Sequence, residues 1–316
     1  MPAAPTLSPT VDPAAAYPEL VSFRAALRGG DWDGVRALAD AQDPAGRTRL
    51  IALAADHEEA GPLPRQRLAA DPADTLAGAL LGARLVMEAW EVRSSRQAQF
   101  VSQARFARFH EILRDAERVL IDAAAYDPTD AAVWTHRMPT ARGLQLGLSE
   151  ARRRYDRLAE HHPHHLPAQS HLLQQLAPKW GGTLEAMHDF ARTEMLAAPE
   201  GAPNAVLVVE AHLEQWMQLS AGERNSYLTR TEVREQIREA AARSVQHPSY
   251  RRTVGWVQVE NYFAFMFGMI GDDVAAARQF AAIGHLASES PWHYLGDPLT
   301  VFAQRRDKAV KRGGAR

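Results

Sequence analysis

The sequence predicts an all-α protein, a solenoid of antiparallel helix pairs that share one continuous core. Three observations point there. No segment alternates apolar and polar residues for long enough to make a strand; apolar positions recur instead at helical spacing, as at Leu148, Ala151, Tyr155, Leu158 and Ala159, and again at Leu184, Met187, Phe190, Ala191 and Met195. A set of small and bulky residues then repeats: Ala116, Leu120, Ala123 and Pro128 are followed 35 residues later by Ala151, Tyr155, Leu158 and Pro163. A third copy, Ala186 and Phe190 with Pro199, keeps nearly the same offsets.

The physical reason is packing. Small residues let two helices approach closely, and the bulky residue fills the gap to the neighbouring pair. Proline ends the helix behind it, because it lacks an N–H and crowds the preceding turn. Pro167 and Pro203 each follow such a proline by four residues. They suit the first turn of the next helix, where a missing N–H costs nothing.

Taken in order, residues 1–16 have no Lys or Arg and four prolines before Pro18, so they read as a disordered leader without the charged start and apolar run of a signal peptide. Residues 26–40 read as helix, Gly-Gly turn and a helix capped by Asp31. A long helix follows over 70–90, and another over 97–125 with Phe100, Phe106, Phe109, Ile112 and Leu113 on its apolar side. The repeats then run to Pro199. Residues 218–231 break the period and read as a loop, after which Thr229 and Glu232 make a capping-box pattern for a helix over 230–246. The apolar run 254–270 carries Gln258, Glu260 and Asn261 and is shorter than a bilayer requires, so it reads as a buried helix. Residues 271–284 are a last capped helix with an Ala276–Phe280 pair. This gives one domain over 17–304, followed by a basic flexible tail over 305–316 with six basic residues and one acid.

The small–bulky–small–Pro spacing resembles tetratricopeptide-like (TPR-like) repeats. The stretch AQSHLLQQLAPKWGGTLEAMHDFAR is similar to an uncharacterised family of bacterial helical proteins with a Lys-Trp-Gly-Gly-Ser/Thr turn, over roughly residues 95–215. The chain departs from standard tetratricopeptide repeats in lacking the Trp, Leu-Gly and Tyr positions of the first helix. The resemblance implies a fold and no activity.

Composition narrows the chemistry. The 316 residues are 46% hydrophobic and 23% charged, with a net charge of −2, which announces neither a nucleic-acid nor an anionic-membrane partner. The absence of cysteine excludes disulfides, thiolate catalysis and zinc–sulfur sites. The expected location is the cytoplasm. Only three of the 36 basic residues are lysines, Lys179, Lys308 and Lys311, which a GC-rich coding bias explains. No catalytic motif, cofactor fingerprint or metal-ligand spacing is present.

Five of the thirteen histidines fall within 161–171. They straddle a proline turn, so their rings should point apart, and a recurring helix ending explains His162-Pro163 and His247-Pro248 better than a metal does. Lys179, Trp180, Gly181 and Gly182 form the most specific local feature, read as a turn within a repeat that Trp180 staples. The expected function is a non-enzymatic scaffold that binds a protein or peptide on its concave face. Trp134, Arg137, Lys179, Trp180, Gly181, Gly182 and Trp216 are the candidate contacts, because aromatic and Arg anchors often dominate binding energy. One alternative is an enzyme or small-molecule binder with a polar pocket that uses Glu260, Asn261, His110 or His171. A second is nucleic-acid binding through the tail and the Arg-rich helix, where Arg93, Arg96, Arg105 and Arg108 interleave with Phe100, Phe106 and Phe109. The helical spacing of those phenylalanines favours a core face with solvated arginines. The oligomeric state is not encoded in any pattern found.

Overall fold

The computed structural model describes residues 7–57, 60–93 and 102–314. Among these the protein is all-α, with sixteen α-helices and no strand beyond an isolated bridge between Thr10 and Leu286. No helix of the described residues is long and apolar enough to cross a membrane. The chain forms two compact units, one of Pro18–Thr183 and one of Met1–Tyr17 with Leu184–Arg316. The expected domain over 17–304 spans both.

The Pro18–Thr183 unit holds α1 (Pro18–Gly29), α2 (Trp32–Asp40), α3 (Pro44–Ala55), α4 (Pro62–Ala70), α5 (Thr75–Arg93), α6 (Gln103–Tyr126), α7 (Ala131–Gly143), α8 (Leu148–Ala159) and α9 (Leu166–Leu176). Asp31 caps α2 as expected, accepting from Gly34 N at 2.9 Å. The hairpin of α5 and α6 is the most extensive contact in the molecule. Its seam is made by small residues: a Cβ on Gly78 would lie 2.6 Å from the Ala123 Cβ, and one on Gly82 would collide with Leu120. Ala116, Leu120 and Ala123, the repeated set in the sequence, are therefore the residues that bring α6 against α5, and all three are buried. α7 packs on both α5 and α6, and α9 packs on both α7 and α8. α7 and α9 thus each rest on the two helices before them.

The other unit holds α10 (Leu184–Ala197), α11 (Val206–Gln218), α12 (Ala221–Thr229), α13 (Thr231–Arg243), α14 (Trp256–Met269), α15 (Asp273–Ile283) and α16 (Pro298–Gly313). Its core gathers Phe263, Phe265 and Phe267 from α14 with Phe280, Trp292 and Phe302. α14 is the buried helix expected over 254–270, and Asp272 caps α15.

Two expectations need correction here. The stretch 218–231 is not a loop: α12 occupies most of it, started by a capping box in which Ser220 and Glu223 exchange hydrogen bonds. The Ser-x-x-Glu pattern was present in the sequence, but the missing apolar stripe hid it. Thr229 does not cap α13; its hydroxyl donates to the Ser226 carbonyl at 2.9 Å, and Arg230 holds the cap position without a side-chain bond.

The chain ends also carry structure. Within the expected leader, Thr10 N–H donates to the His285 carbonyl at 2.9 Å, the Thr10 carbonyl accepts from Ala287 N–H at 2.8 Å, and residues 13–15 form a 3-10 turn capped by Asp12. Within the expected tail, residues 305–313 are the last turns of α16, held by the buried side of Phe302 and Ala309. Residues 1–6, Arg96, Phe100 and the last two tail residues lie outside the described residues.

A cationic recess on α7 and α9

α7 is the hub of the Pro18–Thr183 unit, packed against α3, α5, α6, α8 and α9. Every residue from Ala131 to Ala141 is buried, including Thr135, His136, Arg137 and Thr140. Buried polar groups need partners. Arg137 finds Glu117 of α6, with Nη2 donating to Oε1 at 2.9 Å, and its guanidinium lies 4.7 Å from the Trp134 ring. Trp134 donates Nε1–H to the Pro128 carbonyl at 2.8 Å. These two candidate contacts are therefore core residues and present no face to a partner.

One turn further along α7, Arg142 meets a different environment. It is half-buried, and its guanidinium lies 5.6 Å from the Trp90 ring of α5 and 5.6 Å from the Trp180 ring. The two indoles meet edge-on at 6.3 Å. Nη1 reaches the His171 carbonyl of α9 at 3.5 Å, and Arg142 forms no ion pair among the described residues. Burial lowers its pKa to about 10. Guanidinium groups stacked on indole faces are held flat with their N–H groups directed outward.

Three imidazoles accompany it. His136 and His165 are 6% and 3% exposed, and Nε2 of each has no hydrogen-bond partner in the structure. His171 is half-buried and feels, in decreasing order after burial itself, Arg142, His136, Arg49 and His165. Burial brings His136 to about 4 and His165 to about 3, the latter helped by His162, Arg49 and His136, and it holds His171 well below the ordinary value. All three are neutral at pH 7. The carboxylate that touches this group electrostatically, Asp130, is already engaged: Arg47 donates to both its oxygens at 3.0 Å, and it caps α7 through Ala132 and Val133 N–H.

The turn 178–182 presents Trp180 to this recess. Gly181 sits at φ 88°, and a Cβ on Gly182 would collide with the Leu176 carbonyl, so both glycines are required by the backbone path. Gln175 ties the turn down, donating Nε2–H to the Trp180 carbonyl at 3.1 Å. Lys179 is exposed at its edge. Trp180 and His171, which were candidates for different reasons, thus both meet Arg142, and Gly181 and Gly182 shape the turn that carries Trp180. Sequence reasoning missed Arg142, His136 and Trp90. In AAVWTHRMPTARG buried residues lie all round the helix, so no single apolar stripe marks α7 as central.

The histidine-rich stretch itself divides. His161 is exposed, His162 places Nε2 3.0 Å from the Thr129 carbonyl, and His165 faces inward 6.2 Å from His162. Among the described residues no group of three or more His, Asp or Glu side chains could hold a metal ion.

The remaining candidates lie elsewhere. Glu260 on α14 is buried and bound on both oxygens, by Arg252 at 2.7 and 2.8 Å and by Gln279 at 3.1 Å. Asn261 donates to the Val257 and Leu286 carbonyls and accepts from Trp292 Nε1–H at 2.7 Å. Both side chains are thus tied to neighbouring protein groups. His110 on α6 leans on Phe106 and Phe109. Trp216 is buried under Arg224, whose guanidinium lies 4.8 Å from its ring. In the same unit, His212 is held by Tyr227 and Gln236 at 2.6 and 2.8 Å, and Tyr227 donates to Gln215 at 2.7 Å. A groove of about 310 Å³ runs between Phe280, His285, Arg306 and Val310. In the Arg-rich helix, Phe109 is buried and Arg108 is exposed and paired with Glu88 and Glu111.

What fold and site define is an all-α protein in which a half-buried arginine lies beside two indoles. No protein-family model, curated protein or solved structure matches the chain.

Proposed function

We propose that the protein is a binding protein of TPR-like construction, an α-solenoid that holds a protein or peptide partner on the face where α7, α9 and the 178–182 turn meet. The observation that carries this is Arg142, half-buried between Trp90 and Trp180 with no carboxylate against it. Core arginines in this molecule are ion-paired, as Arg137 and Arg154 are to Glu117. Arg142 instead couples stacked aromatic surface to unspent N–H donors, the combination that dominates binding energy in protein interfaces. Repeat construction is supported by the packing of α7 on the α5–α6 hairpin and of α9 on the α7–α8 hairpin, with small residues at the seams.

A displayed library of random peptides tests this. Peptides selected on the wild-type chain should lose at least about tenfold in affinity for Trp180→Ala, while Arg118→Ala, an exposed position on α6, should leave them unchanged. Failure to enrich any peptide, or equal binding to Trp180→Ala, would overturn the reading.

A further inference from the structure

We infer that the groove between α15 and α16 is a site for an aliphatic monocarboxylate, with its tail on the apolar walls and its carboxylate at Arg306. This goes beyond the peptide reading and does not rest on it.

The groove measures about 310 Å³. α15 gives it Phe280 and Ala281, the turn behind α15 gives Gly284 and His285, and α16 gives Arg306 and Val310. Leu7 completes the lining, beside the paired backbone hydrogen bonds of Thr10 with His285 and Ala287. Leu7 and Val310 are 64% and 54% exposed, so two large apolar side chains on one groove are left in water. Gly284 sits at φ 71°, and a Cβ there would meet nothing within 4 Å, so this stretch of wall is bare.

Arg306 supplies the charge. Its guanidinium lies 6.0 Å from the Phe302 ring. Among the described residues its only hydrogen bond runs from Nε to Asp307, at a long 3.4 Å, and that carboxylate is 73% exposed, so the pair is weak. Nη1 has no partner. Apolar walls suit hydrocarbon, and a guanidinium with so little compensation suits an anion. One guanidinium balances one negative charge, and its parallel N–H groups match the two oxygens of a carboxylate. The volume suits a small molecule, whereas a protein partner covers about 800 Å² on each side.

The test is an NMR titration of the full chain with sodium octanoate, read at the methyl groups of Leu7, Ala281 and Val310 and the backbone amides of Gly284 and His285. One octanoate per chain should bind with a Kd of about 1 mM or tighter, and these signals should move together. Hexanoate, two methylenes shorter, should bind about fivefold more weakly. 1-Octanol, which has the tail without the charge, should bind about tenfold more weakly than octanoate. Arg306→Gln should lose about tenfold for octanoate and leave octanol unchanged, a split that a structural defect would not produce. Lys308→Gln removes the same charge from an exposed position of α16 and should leave both ligands unchanged. Leu7→Ser should weaken both by about threefold. Should Arg306→Gln fail to fold, the comparison of octanoate with octanol on the wild type decides. No saturation, shifts scattered over the whole chain as for an adventitious amphiphile, octanol binding as tightly as octanoate, or wild-type binding by Arg306→Gln would each overturn the inference. If selected peptides bind through Trp180 while octanoate does not bind, this inference fails and the proposed function stands. Octanoate binding with no peptide enriched gives the reverse.

Discussion

Glu117 on α6 and Arg154 on α8 meet 2.9 Å apart beneath the surface of the Pro18–Thr183 unit, with Arg137 of α7 on the other oxygen of the same carboxylate. Thr140 donates its hydroxyl to Glu117, and Arg154 also donates to the Arg137 carbonyl at 2.6 Å and to Glu150 at 2.7 Å. One carboxylate therefore satisfies two buried guanidiniums from successive helices.

Removing that carboxylate should be severe. Glu117→Ala leaves two buried cations without their common partner, at a cost of about 3–5 kcal/mol. Glu160→Ala breaks only the exposed pair with Arg157 and should cost under about 1 kcal/mol. Urea unfolding of the two variants checks both; comparable losses would mean that the Glu117 network does not hold α6, α7 and α8 together.

Gly82→Ala should destabilise although alanine is the better helix former by about 1 kcal/mol. The new methyl meets Leu120, and overpacking of this kind costs about 1–3 kcal/mol. Gly222→Ala, exposed on α12 with nothing within 4 Å, should instead stabilise by a few tenths to about 1 kcal/mol. Opposite signs in thermal melts are the expected result. Adding Leu120→Ala to Gly82→Ala should cost less than it does alone, since the methyl then has room.

Stability should fall between pH 6.5 and about 4. His136 and His212 sit near 4 and His165 near 3, against an ordinary value of 6.5, each because burial disfavours the charged ring. The folded chain binds these protons more weakly than the unfolded chain. Stability from the neutral rings is thus complete above 6.5 and is lost as pH drops towards the folded values, on the order of 1 kcal/mol per pH unit for each histidine. Denaturant midpoints measured across this range check the slope, and His212→Gln should flatten it.

Tyr227→Phe should cost about 1–3 kcal/mol in urea unfolding. It removes one hydroxyl and strands His212 Nδ1, 2.6 Å from it, while Gln215 Oε1, 2.7 Å away, keeps His188 Nε2 at 2.8 Å. Phenylalanine retains the packing, so a loss near zero would show that water replaces the hydroxyl.

Much of the fold was legible in residue order because helix formation and helix pairing are local. Apolar stripes marked α8, α10 and α15, and the spacing of Ala116, Leu120 and Ala123 named the residues that carry the α5–α6 seam. Caps were read where an acidic residue stood before a clear stripe, as at Asp31 and Asp272. They were missed where no stripe followed, as at Ser220, because α12 buries only Tyr227 and Leu228. The site was not legible. Trp90, His136, Arg142 and Trp180 are separated by tens of residues, and each looks like an ordinary core or turn residue beside its chain neighbours. Whether a guanidinium meets a carboxylate or two indoles depends on which helices close over it. Arg137 and Arg142 lie on one helix, yet α6 brings Glu117 to the first while α5 and the 178–182 turn bring tryptophans to the second.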